Sequence, residues 1–97
     1  MHIEIAAKRL AELGHVTRLS IFRILVKRGK QGVAVGELQS QLDVPGSTLS
    51  HHITRLINVG LVEQRREGRV LYCVPQYQKL DELVAFLQEE CCEEEIK

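Results

Sequence analysis

The chain has 97 residues, of which 44% are hydrophobic and 27% charged, a composition typical of one globular domain and too short for two. The formal net charge is zero, so the overall balance does not indicate a nucleic-acid partner. No apolar stretch approaches the length of a membrane span or forms the h-region of a signal peptide. The three cysteines, an odd number, argue against a secreted disulfide framework. We therefore expect a cytoplasmic protein with no membrane partner.

The first two predicted helices cover residues 3–13 and 15–27, because apolar residues recur there at helical spacing. Gly14 separates the two helices, and the glycine-containing segment 28–32 is predicted to be a loop.

A helix-turn-helix unit is predicted at about residues 35–59. A short third helix over 37–42 is followed by a polar turn, and a longer fourth helix begins near Ser47 and ends at Gly60. Ser47 is expected to cap this fourth helix with its hydroxyl group. The apolar stripe of the fourth helix, which we expect to be buried, consists of Leu49, Ile53, Leu56 and Ile57.

Two β-prone runs around Glu67-Gly68 predict a hairpin at about residues 61–74, and a basic hairpin in this position is a wing. A last helix follows at about residues 78–92. The expected fold is therefore mainly α with a small β-hairpin, in the order α1-α2-α3-α4-β-β-α5. Residues 1–97 are predicted to form a single winged helix-turn-helix domain.

The charges divide the chain into a basic body and an acidic end. Residues 1–72 contain eleven Lys and Arg against six Asp and Glu, whereas residues 73–97 contain two against seven. This pattern suits a DNA-binding protein whose C-terminus lies away from the phosphates, although an acidic, solvated helix end would give it too.

The candidate DNA contacts are polar side chains on the fourth helix and arginines on the wing. The helix residues are expected in the major groove and the wing residues at the backbone or minor groove. His52 borders the apolar stripe, so a place in the core is equally compatible with the sequence. The candidates are Ser47, Thr48, Ser50, His51, His52, Thr54, Arg55, Arg65, Arg66 and Arg69.

Three segments resemble the ArsR/SmtB family of bacterial repressors. Residues 11–22 (AELGHVTRLSIF) resemble its "ALGHPTRLxIF" opening, residues 45–53 (PGSTLSHHI) its "STxSHHL" recognition helix, and residues 60–69 (GLVEQRREGR) its "AGLVxxRREGR" wing. The resemblance implies a repressor that binds double-stranded operator DNA as a homodimer. It also implies that the dimer forms through the first and last helices.

The C-terminal cysteines are candidate inducer ligands. The family's cysteine pair at the third helix is replaced here by Val33-Ala34-Val35, and the last helix has no histidine for the family's zinc site. Residues 86–92 (FLQEECC) resemble the "FLTENCC" ending of an arsenic-responsive branch. The resemblance implies that Cys91 and Cys92 bind As(III) or Sb(III), since thiolates are soft ligands. A third ligand would come from Cys73, from the other subunit or from a small thiol, although Cys73 on a wing strand is better explained as a small buried hydrophobe.

Two other functions remain open at this point. The same fold can act as a thiol-redox or persulfide sensor, in which oxidant rather than metalloid releases the DNA. It can also serve as a dimerising interaction module that does not read DNA. We expect no enzyme and no required cofactor, because the neighbouring Ser50 and His51 face different directions on a helix and no phosphate-binding loop is visible.

Overall fold

The computed structural model describes residues 1–95; residues 96 and 97, which complete the predicted domain, lie outside the described part. Within the described part, five helices and three strands follow one another in the predicted order, with one strand added between the second and third helices. The elements are α1 Ile3–Leu13, α2 Val16–Arg28, β1 Val33–Ala34, α3 Val35–Leu42, α4 Gly46–Asn58, β2 Val62–Glu67, β3 Val70–Pro75 and α5 Tyr77–Gln88.

The starts of α2 and α4 differ slightly from the predicted ones. His15 precedes α2 as its N-cap, where its Nδ1 accepts a hydrogen bond of 3.1 Å from the Thr17 backbone N–H. The N-cap of α4 is Pro45, which has no side-chain capping bond. The prediction that Ser47 caps α4 is therefore wrong, because Ser47 already lies inside the first turn.

The wing belongs to a three-stranded antiparallel sheet in the order β1-β3-β2. The predicted hairpin of β2 and β3 is present, with Glu67 opposite Val70 across the turn. The strand β1 was not predicted; it pairs with β3 through Val33 opposite Cys73 and Ala34 opposite Tyr72. Since α3 begins directly after β1, the backbone pairing of β1 with β3 connects the helix-turn-helix unit to the wing.

A single apolar core lies beneath α2, α3, α4 and the inner strands. The predicted stripe of α4 is largely confirmed, since Leu49, Ile53 and Leu56 are buried, whereas Ile57 is only half-buried. The fully buried side chains are Ile21, Leu25, Val33, Leu38, Leu49, Leu56, Leu61 and Cys73.

The last helix is shorter than predicted. It begins at Tyr77, whose hydroxyl donates a 2.7 Å hydrogen bond to the Val26 carbonyl, and ends at Gln88. The prediction that it extends to about residue 92 is wrong, and residues 89–94 form turns. Clustered glutamates explain this end, because negative charge is unfavourable at a helix C-terminus. Cys91 and Cys92 therefore lie beyond the helix.

Five large apolar side chains remain exposed on the first and last helices. They are Ile3, Ile5 and Leu10 on α1, at 68%, 44% and 40% exposure, and Val84 and Leu87 on α5, at 46% and 59%. None of the helices in residues 1–95 combines the length and the apolar character that a bilayer crossing requires.

Candidate nucleic-acid interface

The predicted DNA contacts on α4 occupy its solvent side, with one exception. Leu49, Ile53 and Leu56 face the core, which leaves the opposite side of the helix polar. The exposed candidates are Ser47, Thr48, Ser50, His51, Thr54 and Arg55. These short polar side chains suit contact with base edges, because they bring the helix backbone close to a groove wall.

An open groove of about 640 Å³ separates α4 from the wing. Ser50 and Thr54 line one wall, and Arg66 and Arg69 line the other. The N-terminus of α3, which has no side-chain cap, forms its floor at residues 34–36. Because none of its lining residues is acidic, the groove presents hydroxyls, guanidinium groups and free backbone N–H groups to a negatively charged partner.

Proteins of known class are similar to this chain in sequence and in fold. Residues 13–65 match the family described as a helix-turn-helix domain. The HTH-type transcriptional regulator YgaV of Escherichia coli is 30% identical over 90 residues, which cover 92% of this chain and 88% of YgaV. A Halobacterium salinarum protein named as an arsenical resistance operon repressor, ArsR, is 38% identical over 60 residues, 62% of this chain. This chain belongs to the ArsR/SmtB family.

The match to the Halobacterium salinarum protein spans 46% of that relative's length. The crystal structure of the transcriptional repressor BigR from Xylella fastidiosa superposes with a TM-score of 0.69 at 32% identity, covering 89% of this chain and 85% of BigR. The winged helix-turn-helix fold predicted from the sequence is therefore confirmed. These relatives regulate transcription and are not enzymes. The prediction that this chain is not an enzyme is therefore confirmed.

Arg65 does not line the groove, although the sequence placed it with the other wing arginines. Its Nη1 and Nη2 donate hydrogen bonds of 3.3 and 2.8 Å to the carbonyls of Lys30 and Gln31, and its Nε donates to Glu67 at 3.0 Å. The guanidinium also lies 5.4 Å from the Tyr72 ring centroid. Arg65 thus fastens the wing to the loop after α2, which gives it a structural role within the subunit.

His52 is the exception on α4. It is only 8% exposed, and its Nδ1 accepts a 3.1 Å hydrogen bond from Arg18 Nη1. Its ring centroid lies 4.6 Å from that of His15. Burial lowers the pKa of His52, and the nearby His15, Arg18, His51 and Arg55 lower it further. Of the two places that the sequence left open for His52, the structure shows the core, where the side chain links α2 and α4.

Arg55 is exposed and forms an ion pair with Glu12. It makes two hydrogen bonds to the Glu12 carboxylate on α1, from Nε at 2.6 Å and from Nη2 at 2.9 Å. Arg18 lies on the same carboxylate, with its Nε 3.5 Å from Glu12 Oε2. The bond to Arg55 lowers the pKa of Glu12 and raises that of Arg55, so both groups are charged at neutral pH.

The three cysteines of this ArsR/SmtB-family chain do not form one site. Cys73 is fully buried on β3, and burial raises its pKa. Cys91 and Cys92 are exposed, with their Sγ atoms 3.3 Å apart. Residues 1–95 contain no group of three or more His, Cys, Asp or Glu side chains placed to hold one metal ion. A metalloid at the cysteine pair would therefore need a ligand from outside the described part of one subunit.

Proposed function

We propose that this regulator represses transcription as a homodimer bound to double-stranded operator DNA. The observation that carries this proposal is the groove between α4 and the wing, with hydroxyls on one wall and two arginines on the other. In this arrangement α4 enters the major groove, where Ser50 and Thr54 approach base edges. Arg66 and Arg69 neutralise phosphates beside it or enter the minor groove.

The remaining exposed residues of α4 complete the reading surface. Ser47 and Thr48 lie in the first turn, where backbone N–H groups are free to bind a phosphate. His51 lies one turn before Arg55, on the side of α4 that faces α1. The reading surface therefore has a neutral centre on α4 and a basic edge on the wing.

The dimer is proposed to form through α1 and α5. Their exposed apolar residues have no other partner within the described part of the chain, and a second copy would remove them from water. One helix-turn-helix unit reads only a few base pairs, so two half-sites supply the specificity that one lacks.

We further propose that Cys91 and Cys92 form the inducer site for arsenite or antimonite. Their adjacent, exposed thiols supply two soft ligands to one ion. Cys73 is an unsuitable third ligand because it is fully buried on a paired strand. The third sulfur would come from the partner subunit or from a small thiol. Binding releases DNA only if the metalloid prefers the conformation with low DNA affinity.

Oxidation of the same pair to a disulfide is the competing mechanism. The 3.3 Å contact between the two sulfurs favours it. However, the hydrogen bond with Cys91 raises the pKa of Cys92, followed by desolvation and a bond with Glu95. A higher pKa leaves less thiolate at neutral pH, which slows reaction with peroxide.

The DNA-binding proposal is tested with a charge-matched pair of variants. Fluorescence anisotropy measures binding of labelled DNA from the protein's own promoter region between 50 and 200 mM NaCl. Loss of two phosphate contacts in R66A/R69A reduces the slope of log K against log salt by about 1.8 per protomer. The control R23A/K27A removes the same charge from α2, outside the groove, and keeps the wild-type slope. Equal effects in both variants would rule out the groove as the DNA site.

The inducer proposal is tested on the preformed complex. Reduced protein bound to promoter DNA is titrated with arsenite, antimonite, zinc and peroxide, beside the C91S/C92S variant. Release by arsenite or antimonite that is abolished in the variant supports the metalloid site. Release by peroxide alone assigns the pair to redox sensing, and no release by any reagent excludes the pair as the switch.

A further inference from the structure

The ion pair between Glu12 and Arg55 connects the first helix to the recognition helix across 43 residues of sequence. Most exposed ion pairs contribute little, but a bidentate arginine–carboxylate pair has well-defined geometry and charge-assisted hydrogen bonds. Arg55 is 46% exposed, whereas Glu12 is only 13% exposed. The carboxylate is therefore the fixed partner, and the arginine is held against it.

Arg18 fixes the position of Glu12. Its Nε donates a 2.6 Å hydrogen bond to the Glu12 carbonyl and lies 3.5 Å from Glu12 Oε2. The same guanidinium donates to His52 inside α4, and its side chain is only 12% exposed. The Glu12 carboxylate is thus held at the flank of the recognition helix before any DNA is present.

Arg55 occupies the edge of the reading surface and not its centre. It follows Thr54, which lines the groove, and successive helix positions differ by about 100°. Arg55 consequently projects toward α1, while Ser50 and Thr54 face the wing. A cation at such an edge adds affinity for any phosphate backbone without reading a base.

We propose that Glu12 is a specificity-determining residue that holds Arg55 away from DNA phosphates. By neutralising this cation, Glu12 weakens sequence-independent binding and leaves the hydroxyl-lined groove unchanged. Sequence-independent affinity depends on the number of phosphates that cations neutralise, so each withheld arginine removes one such contact. This inference rests on the proposed DNA binding of α4 and the wing.

The test uses a random-sequence 30-base-pair duplex, for which no operator needs to be known. Anisotropy gives the slope of log K against log NaCl for wild type, E12Q, R55Q and E12Q/R55Q. Release of Arg55 in E12Q makes the slope steeper by about 0.9 per protomer, equivalent to roughly a 3.5-fold larger loss of affinity between 50 and 200 mM. The double variant returns to the wild-type slope, and R55Q alone keeps it.

Two controls separate this role from net charge and from folding. E4Q removes a carboxylate from an exposed position in the first turn of the same helix, about 12 Å along the helix axis from Glu12, and is expected to leave the slope unchanged. Thermal unfolding identifies any variant that is not folded at the assay temperature. If E12Q does not fold, R55Q decides alone, because a slope reduced by about 0.9 in R55Q would show that Arg55 already contacts phosphate.

The outcomes distinguish the inference from the function on which it rests. If wild type binds DNA but E12Q has the wild-type slope, or E4Q has the same effect as E12Q, the role of Glu12 is overturned and DNA binding stands. If wild type binds no duplex and no promoter DNA, both are overturned.

Discussion

Replacing Arg65 tests whether the two neighbouring arginines of β2 have different roles, Arg65 in stability and Arg66 in DNA binding. Replacing Arg65 with Ala removes two hydrogen bonds to backbone carbonyls, one bond to Glu67 and the contact with the Tyr72 ring. Each carbonyl bond contributes about 0.5–1.5 kcal/mol and an exposed cation–π contact about 0.5–1 kcal/mol. Because the side chain is 42% exposed, solvent screening reduces the contribution of its ion pair to Glu67. We expect a net loss of about 1.5 kcal/mol, the sum of the lower values for the carbonyl bonds and the ring contact.

Thermal unfolding at fixed protein concentration measures this loss. For a domain of this size, 1.5 kcal/mol lowers Tm by about 6–12 °C. R65K keeps the charge but not the planar fork, so it also loses stability while its salt slope on random DNA stays at the wild-type value. R66A gives the opposite pattern, with an unchanged Tm and a slope reduced by about 0.9 per protomer. A normal Tm in R65A together with a slope reduced as in R66A would refute the assignment.

Three further predictions concern the interior. The pKa of His52 is lowered from its ordinary value of 6.5, so the folded state binds fewer protons than the unfolded chain and stability falls as the pH drops below 6.5. In H52N the side-chain oxygen can still accept the Arg18 bond but no longer titrates. Thermal unfolding of H52N between pH 5 and 7 should therefore depend less on pH than that of wild type. Gly32 has φ +81°, and a Cβ there would lie 3.0 Å from the Cys73 carbonyl oxygen, so G32A lowers the free energy of unfolding by about 1–3 kcal/mol in urea titrations. C73A costs about 1 kcal/mol but leaves the arsenite titration unchanged, and loss of the response would instead implicate Cys73 as a ligand.

The helices could be predicted from the sequence because their apolar positions repeat locally. The bounds of α1 agree with the prediction, and the buried residues of α4 were recognised by their spacing. The strand β1 could not be recognised in this way. It has two residues, too few for an alternating pattern, and it exists because β3 offers it backbone partners about 40 residues away.

The site was less predictable than the fold, because arginines in one sequence pattern have different partners in space. Arg65 is held by carbonyls more than 30 residues away, and backbone acceptors leave no trace in residue types. Glu12 gives no local sign that it pairs with Arg55. The sequence was compatible with His52 either in the core or on the DNA-binding surface. Its burial and its hydrogen bond with Arg18 place it in the core.

The pairing of β1 with β3 restricts how any effector can act. Since β1 continues directly into α3, and β3 begins at the wing turn, tilting the wing against the helix-turn-helix unit would break backbone hydrogen bonds in the sheet. The wing and the helix-turn-helix unit therefore form one stiff body. In the proposed dimer, an ion captured at Cys91 and Cys92 would lower affinity by changing the distance between two such bodies, so that they no longer match half-sites one helical turn apart. Lengthening the DNA between the half-sites by a base pair should then reproduce, without any inducer, the weakening that the inducer causes.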